Sequence, residues 1–260
     1  MRLQANRPVS VGTRVLGGPS VLTCVPLVAR DRDTLFDHAV RVGAMRPDAI
    51  EWRADYYEDL DPVDVPGLVK ELAAASACSL VVTNRLHSEG GHAAQDESRR
   101  VAVLEAAARS GAPALVDVEM MTEAGLAGRV IEAARGAGVA IIRSWHDVYG
   151  TPSQQAVLGC LRAMQESLAD VAKVATTAVG PEDALLLMSA GLVARRMFLE
   201  IPCILMSMGP LGVVSRFGGY FGSDLTFAVG VEASAPGQID LDLAKRVLAA
   251  MGLRGAGGAA

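Results

Sequence analysis

At 260 residues, with 51% of them apolar, the chain has enough apolar side chain for one large core. Its net charge of −5 and the scatter of its 24 basic residues leave no cationic stripe, so nucleic acid and anionic membrane are excluded as partners in favour of a small solute. The longest uncharged stretch, running from Ile201 to Arg216, is broken by Pro202, Gly209, Pro210 and Gly212 and falls short of the ~18 continuous apolar residues of a spanning helix; MRLQANRPVSVG has no apolar targeting core either, and a cytoplasmic protein is expected.

In chain order the first feature is RPVSVGTRVLGGPS, two short alternating runs around Gly12 with a Gly-Gly exit. It reads as a hairpin extension over residues 1–20 that closes the bottom of the domain behind it. From there apolar, β-rich runs alternate with helical patterns. VLTCVPLV from Val21 precedes a helix over 33–45, AIEWR from Ala49 a helix over 62–77, LVVTNR from Leu80 one over 96–110, and ALVDVE from Ala114 one over 123–137. VAIIRSW from Val139 precedes 153–168, VAKVAT from Val171 precedes 181–198, and CILMS from Cys203 is followed only by the short VVSRFGG. LTFAVG from Leu225 leads to a last helix over 240–251. Strands separated by helices run parallel, and eight such units predict an α/β fold, a single (β/α)8 TIM barrel over residues 21–252. An open doubly wound sheet is the rival, but VPLVARDRD after the first strand lacks the GxGxxG fingerprint of a dinucleotide site. GLRGAGGAA has no capacity to pack, so residues 253–260 are expected to form a flexible tail.

In a barrel, chemistry sits at the C-terminal ends of the strands, and polar residues recur there. The two-residue period of AIEWRAD puts Glu51, Arg53 and Asp55 on one face; LVVTNR pairs Thr83 with Arg85, LVDVE pairs Asp117 with Glu119, and SWHDV carries His146. Asp117 and Glu119 read as members of a salt-bridged barrel interior. Lys173 is the most informative position: it is one of only three lysines against 21 arginines, and it lies in the apolar run DVAKVAT. A lysine there either snorkels from a strand end to water or supplies an amine that, unlike guanidinium, loses its proton when desolvated and attacks a carbonyl. His146 is either a hydrogen-bonded core residue or, beside a buried lysine on the next strand, the proton shuttle.

Cys24, Cys78, Cys160 and Cys203 stand far apart with no CxxC spacing, so they read as core thiols rather than metal ligands or disulfides. His87 and His92 flank Gly90-Gly91 in what reads as a solvated loop, and no metal is expected.

The series EWRAD at Glu51, TNR followed by Glu89 and Gly90-Gly91, SWHDV at His146, VAKVA at Lys173, SMGPLGVVSR ending at Arg216, and FGSDLTFA leading to ASAPGQ at Ser234 to Gln238 resembles type I 3-dehydroquinate dehydratase. The likeness runs from about Val21 to Gln238 in order. It implies a dimeric (β/α)8 barrel that removes water from 3-dehydroquinate to give 3-dehydroshikimate, a step in aromatic biosynthesis and in quinate breakdown, with no cofactor. By the same resemblance Lys173 forms an imine with the substrate ketone and His146 moves the protons, with Glu89 orienting the imidazole. Arg216 would clamp the substrate carboxylate through a two-point guanidinium contact. Glu51, Arg53 and Arg85 would address the ring hydroxyls, Ser234 and Gln238 would form a lid, and Met208 and Phe227 would be apolar walls. To attack, Lys173 must shed its proton, and burial or the neighbouring cations Arg53, Arg85 and Arg216 are expected to favour that. Two departures stand out: Pro26 replaces a small hydroxyl residue, and TTAVGPED lacks a proline soon after the lysine. A class I aldolase, which also forms a lysine imine but cleaves a carbon-carbon bond, is the second reading, and a barrel that only binds is the third.

Overall fold

The computed structural model describes residues 2–92 and 94–254. A short antiparallel hairpin, β1 (Val9–Val11) and β2 (Arg14–Leu16), comes first. The alternating units follow: β3 (Leu22–Leu27), α1 (Arg32–Ala44), β4 (Ala49–Arg53), α2 (Val65–Ser76), β5 (Ser79–Thr83), α3 (Glu97–Arg109), β6 (Leu115–Glu119), α4 (Ala124–Ala137), β7 (Ala140–Asp147), α5 (Gln154–Glu166), β8 (Val171–Thr177), α6 (Pro181–Met197), β9 (Cys203–Met208) and β10 (Leu225–Val229). A two-residue strand, β11 (Ile239–Asp240), pairs with β10 before the last helix, α7 (Leu241–Ala250). Helix starts follow local chemistry: the side chains of Asp31, Asp96, Ser153 and Asp240 each accept the backbone N–H three residues on. In the seventh unit, where the sequence offers only the short VVSRFGG, a kinked 3-10 segment, Pro210–Phe221, stands in place of an α-helix.

Strands β3 to β9 are hydrogen-bonded parallel neighbours in sequence order, and β10 pairs with β3 in parallel, which curls the sheet into the (β/α)8 barrel. Inward side chains Leu22, Cys24, Ala49, Val81, Leu115, Ile142, Val171, Ile204 and Leu225 fill its lower interior, and Val11 and Leu16 of the hairpin plug that end. Outward residues such as Val25, Ile50, Trp52, Val82, Val116 and Ile141 pack under the helices.

One joint of the barrel is built differently. Between β9 and β10 no strand ladder forms among the described residues, and the only backbone bond across the base of that joint runs from Asp224 N to Cys203 O at 2.7 Å. The alternate amides of β9 that face the joint are satisfied by side chains: Cys203 N donates to Asp224 Oδ2 at 2.7 Å, Leu205 N to Ser223 Oγ at 3.1 Å and Ser207 N to Ser215 Oγ at 2.8 Å. At the top, Phe227 O on β10 accepts from Arg216 Nη1 at 3.1 Å. The 3-10 segment, through Ser215 and Arg216, and the turn after it, through Ser223 and Asp224, therefore supply what a ladder would have supplied.

The expected tail boundary at residue 253 is corrected by the packing. Leu253 is fully buried against Val21 and Leu248, its carbonyl accepts from Val21 N at 2.8 Å, and Arg254 pairs with Asp48. A leucine next to a glycine turn can fold back onto the barrel even where no periodic pattern announces it. Residues 255–260 of the expected tail lie outside the described residues. Among the described residues, no helix is long and apolar enough to cross a membrane.

Candidate active site

A cavity of about 270 Å³ opens at the C-terminal ends of the strands. It is lined by all eleven residues to which the resemblance gives a catalytic or substrate-binding role: Glu51, Arg53, Arg85, Glu89, His146, Lys173, Met208, Arg216, Phe227, Ser234 and Gln238. The period-two alternation accounts for most of this, because Glu51, Arg53, His146, Lys173, Met208 and Phe227 all sit at inward positions of their strands.

Lys173 is 5% exposed, so it does not snorkel to water. Its Nζ lies 2.7 Å from Asp117 Oδ2 and 3.6 Å from Glu51 Oε1, with the Phe227 ring centroid 4.8 Å away. Thr83 Oγ1 donates to the same Glu51 oxygen at 2.7 Å and fixes it. Two of the three arginines expected beside the amine are paired with carboxylates. Arg85 grips Asp117 through Nη2 at 2.7 Å and Glu119 through Nη1 at 2.8 Å, and Arg53 is bound by Asp55 through Nε at 2.8 Å and Nη2 at 2.7 Å. Burial alone would raise the Asp117 carboxyl, but Arg85 and Lys173 win and hold it well below the usual carboxylate range. For Arg85, burial opposes the charged form and Asp117 and Glu119 more than offset it, so its pKa is raised.

In the β7–β8 register Ser144 lies opposite Lys173 and His146 opposite Ala175. His146 thus stands two residues nearer the mouth, about 7 Å along the strand, a rise that an extended lysine side chain spans. Glu89 reaches His146 from the loop after β5, where Oε2 accepts both the backbone N–H of His146 and the Nδ1 contact at 2.9 Å. That loop is tight: a Cβ on Gly91 would stand 2.2 Å from Arg85 O, so only glycine fits. Burial, helped by Arg85 and Lys173, depresses the His146 pKa well below 6.5. Burial pushes the Glu89 carboxyl up to about 8, with Arg85 opposing, and its Oε1 is buried without a hydrogen-bond partner among the described residues.

Arg216 is 2% exposed and no carboxylate pairs with it among the described residues; burial lowers its pKa to about 10. Three of its N–H groups hold main-chain carbonyls: Nε bonds Gly237 O at 2.5 Å, Nη2 bonds Pro236 O at 3.1 Å and Nη1 bonds Phe227 O. It therefore anchors the loop at Pro236 and Gly237, and no carboxylate among the described residues neutralises it. Within that loop, Ser234 N donates to Gln238 Oε1 at 2.9 Å and Gln238 Nε2 to Ser234 Oγ at 3.2 Å.

Sequence reasoning missed Met206, Ala175, Thr177 and Val148, which also line the cavity. The first three were available from the same period, one step before Met208 and one or two steps after Lys173. Pro26 is buried on β3 opposite Glu51 and takes no part in the lining. The segment after Lys173 continues as strand to Thr177, and Pro181 opens α6. His87 and His92 lie outside the cavity and serve their loop, His87 through Gly91 O at 3.0 Å and His92 by stacking on Tyr56. Cys24 and Cys203 are buried thiols, and Cys78 and Cys160 are half-buried.

A type I 3-dehydroquinase family model matches residues 23–254. The chain belongs to that family. Two curated relatives bear the name 3-dehydroquinate dehydratase: one from Aromatoleum aromaticum is 39% identical over 91% of this chain and 92% of its own length, and one from Bacillus velezensis is 35% identical over 92% and 96%. The crystal structure of 3-dehydroquinate dehydratase from Geobacillus kaustophilus superposes with a TM-score of 0.91 at 35% identity, covering 96% of this chain and 98% of that one. The type I enzyme from Clostridium difficile, solved with covalently modified comenic acid, gives a TM-score of 0.90 at 30% identity over 95% and 98%.

Proposed function

We propose that this type I 3-dehydroquinase dehydrates 3-dehydroquinate to 3-dehydroshikimate through an imine on Lys173. The observation that carries the reading is a buried primary amine and a neutral imidazole facing one cavity, beneath a buried guanidinium that has no carboxylate of its own. Lys173 Nζ, once deprotonated, adds to the ketone, and loss of water from the carbinolamine leaves a protonated imine. That cation is the electron sink: His146 removes the proton alpha to it, and the electron pair moves onto nitrogen as an enamine. The enamine then returns its electrons and expels the β-hydroxyl, which leaves as water with the proton held by His146. A second water hydrolyses the product imine and frees Lys173, so the net change is loss of one water.

The surroundings support these roles. A hydrogen bond from His146 Nδ1–H to Glu89 leaves the Nε2 lone pair free as the base. Arg216 would receive the substrate carboxylate beneath the lid it anchors, the one place in the cavity where an added anion replaces missing charge. Glu51, Arg53 and Arg85 are held by Thr83, Asp55 and Asp117 in positions to meet hydroxyls. Met208 and Phe227 form apolar walls, and Ser234 and Gln238 close the mouth. The same reading includes a cytoplasmic homodimer that uses no cofactor, with sedimentation at micromolar concentration as its check.

The test is to incubate the full chain with 3-dehydroquinate and borohydride and to locate the added mass. Trapping on Lys173 together with enone absorbance from untrapped samples is expected. Lys173→Ala should abolish turnover, while His146→Ala should still form adduct slowly. Near-normal turnover by the lysine variant would end the covalent route, and trapping only with aldol donors would point to carbon-carbon cleavage instead.

A further inference from the structure

Arg100 lies on α3, outside the cavity lining, and is 1% exposed. Apart from Glu105, which pairs with Arg109 and Arg129, the rest of the buried face of α3 is apolar, with Val101, Val103, Leu104, Ala107 and Ala108. An apolar side chain at this position would pack without losing hydration, and a buried ion pair adds little net stability over such a replacement. What the guanidinium does supply is geometry. Nη1 donates to Glu119 Oε2 and to Asn84 O, both at 2.8 Å, and Nη2 donates to Thr122 Oγ1 at 2.8 Å. Asn84 Nδ2 returns a bond to Arg100 O at 3.2 Å.

Two of the three anchor points, Asn84 and Glu119, lead to Arg85. Asn84 is the residue before it in the chain, and the other oxygen of Glu119 accepts from Arg85 Nη1 at 2.8 Å and from Leu86 N at 2.9 Å. Arg85 in turn shares Asp117 Oδ2 with Lys173. Charges alternate along this line from α3 to the nucleophile: Arg100, Glu119, Arg85, Asp117, Lys173. Removing Arg100 leaves Glu119 Oε2 buried without a partner, and the carboxylate then has reason to rotate toward Arg85, drawing its guanidinium off Asp117.

We propose that Arg100 is a positioning residue for this reaction, acting through Glu119 and the Asn84 carbonyl on Arg85 and thence on the Asp117–Lys173 pair. The proposal rests on the dehydration reading above for its kinetic consequences. A misplacement of about 1 Å in a reacting site is worth up to about a hundredfold in rate. Arg100→Met is expected to lower kcat about ten- to a hundredfold and the rate of borohydride trapping with it, with KM changed much less. Arg100→Lys, able to pair with Glu119 but not to hold Asn84 O and Thr122 as well, should fall between. In an Arg85→Lys background, Arg100→Met should add no more than about twofold, because the residue it acts through is already altered.

Retention of kcat within about twofold by Arg100→Met, or an equal loss in both backgrounds, overturns the proposal. Should Arg100→Met fail to fold by circular dichroism, Arg100→Lys and Thr122→Val carry the same comparison: a loss of kcat in both supports the proposal and parental kcat in both overturns it. Should the parental chain not turn over 3-dehydroquinate, the dehydration reading fails separately. Crystal structures of the parental chain and Arg100→Lys then decide: displacement of the Arg85 guanidinium from Asp117 supports positioning, and an unmoved guanidinium overturns it.

Discussion

Glu89→Gln tests the electrostatics of the site through stability rather than rate. The Glu89 carboxyl is 5% exposed and raised from 4.5 to about 8, chiefly by burial. Between those two pH values the folded chain keeps a proton that the unfolded chain has released. The folded state therefore binds more protons, and unfolding free energy falls as pH rises through that window, by about 1.4 kcal/mol per pH unit at full effect. Across the whole window the loss is at most about 5 kcal/mol, and relaxation around the charged form brings the expected figure to about 2–5 kcal/mol. Glutamine is neutral throughout and escapes it. His146 works in the opposite sense, because its depressed pKa costs stability as pH falls below 6.5, but that contribution is present in both proteins and largely cancels. Urea denaturation of parent and variant at pH 5, 7 and 9, extrapolated linearly to water, measures the difference. The variant should gain about 2–5 kcal/mol on the parent between the lowest and highest pH. A gap constant within about 0.5 kcal/mol would show that Glu89 is an ordinary ionised carboxylate and that its unpartnered Oε1 is hydrated.

The same titration predicts that parental kcat rises with pH toward a limb near 8, as Glu89 becomes the carboxylate that accepts Nδ1–H, and that the limb is absent from Glu89→Gln in a stopped-flow pH series. Arg216→Lys should raise KM for 3-dehydroquinate about tenfold or more through loss of two-point carboxylate binding, with increased protease cutting in 230–238 as that loop loses its anchors. Leu253→Ala should cost about 2–5 kcal/mol of stability in the same urea assay, as for other fully buried leucines; a change within about 0.5 kcal/mol would mean the segment does not pack. Gly91→Ala, whose Cβ would meet Arg85 O at 2.2 Å, should displace Glu89 and Arg85 together and lower kcat far more than it lowers Tm.

Much of the architecture was legible because two simple periodicities carried it. Alternation put Glu51 with Arg53, Thr83 with Arg85 and Asp117 with Glu119 on one face of their strands, whereas Met208 and Phe227 came only from the resemblance, and the strand-to-helix rhythm located every α-helix within a few residues at its ends. What escaped was set by contacts distant in sequence. Arg100 stands beside Arg99 in a helix and looks like part of a solvated face, and only the seating of α3 on β5 and β6 buries it. Asp117 was legible as a salt-bridging interior residue, but its partner was not, since which cation lies across a barrel depends on closure. The 3-10 segment at Pro210–Phe221 has glycines and a proline where a helix would need neither, and this was a signal of irregularity without a signal of purpose.

That purpose has a mechanical consequence. Seven of the eight inter-strand joints among the described residues are continuous backbone ladders, whereas the eighth is laced by Asp224, Ser223, Ser215 and Arg216. A barrel made this way has a preferred line of rupture. The amides of Cys203, Leu205 and Ser207 should exchange with solvent sooner than their neighbours on β8, and the barrel should part there first under load. An anion seated on Arg216 lies at the upper end of that line, so an occupied enzyme should resist splitting where the empty one yields.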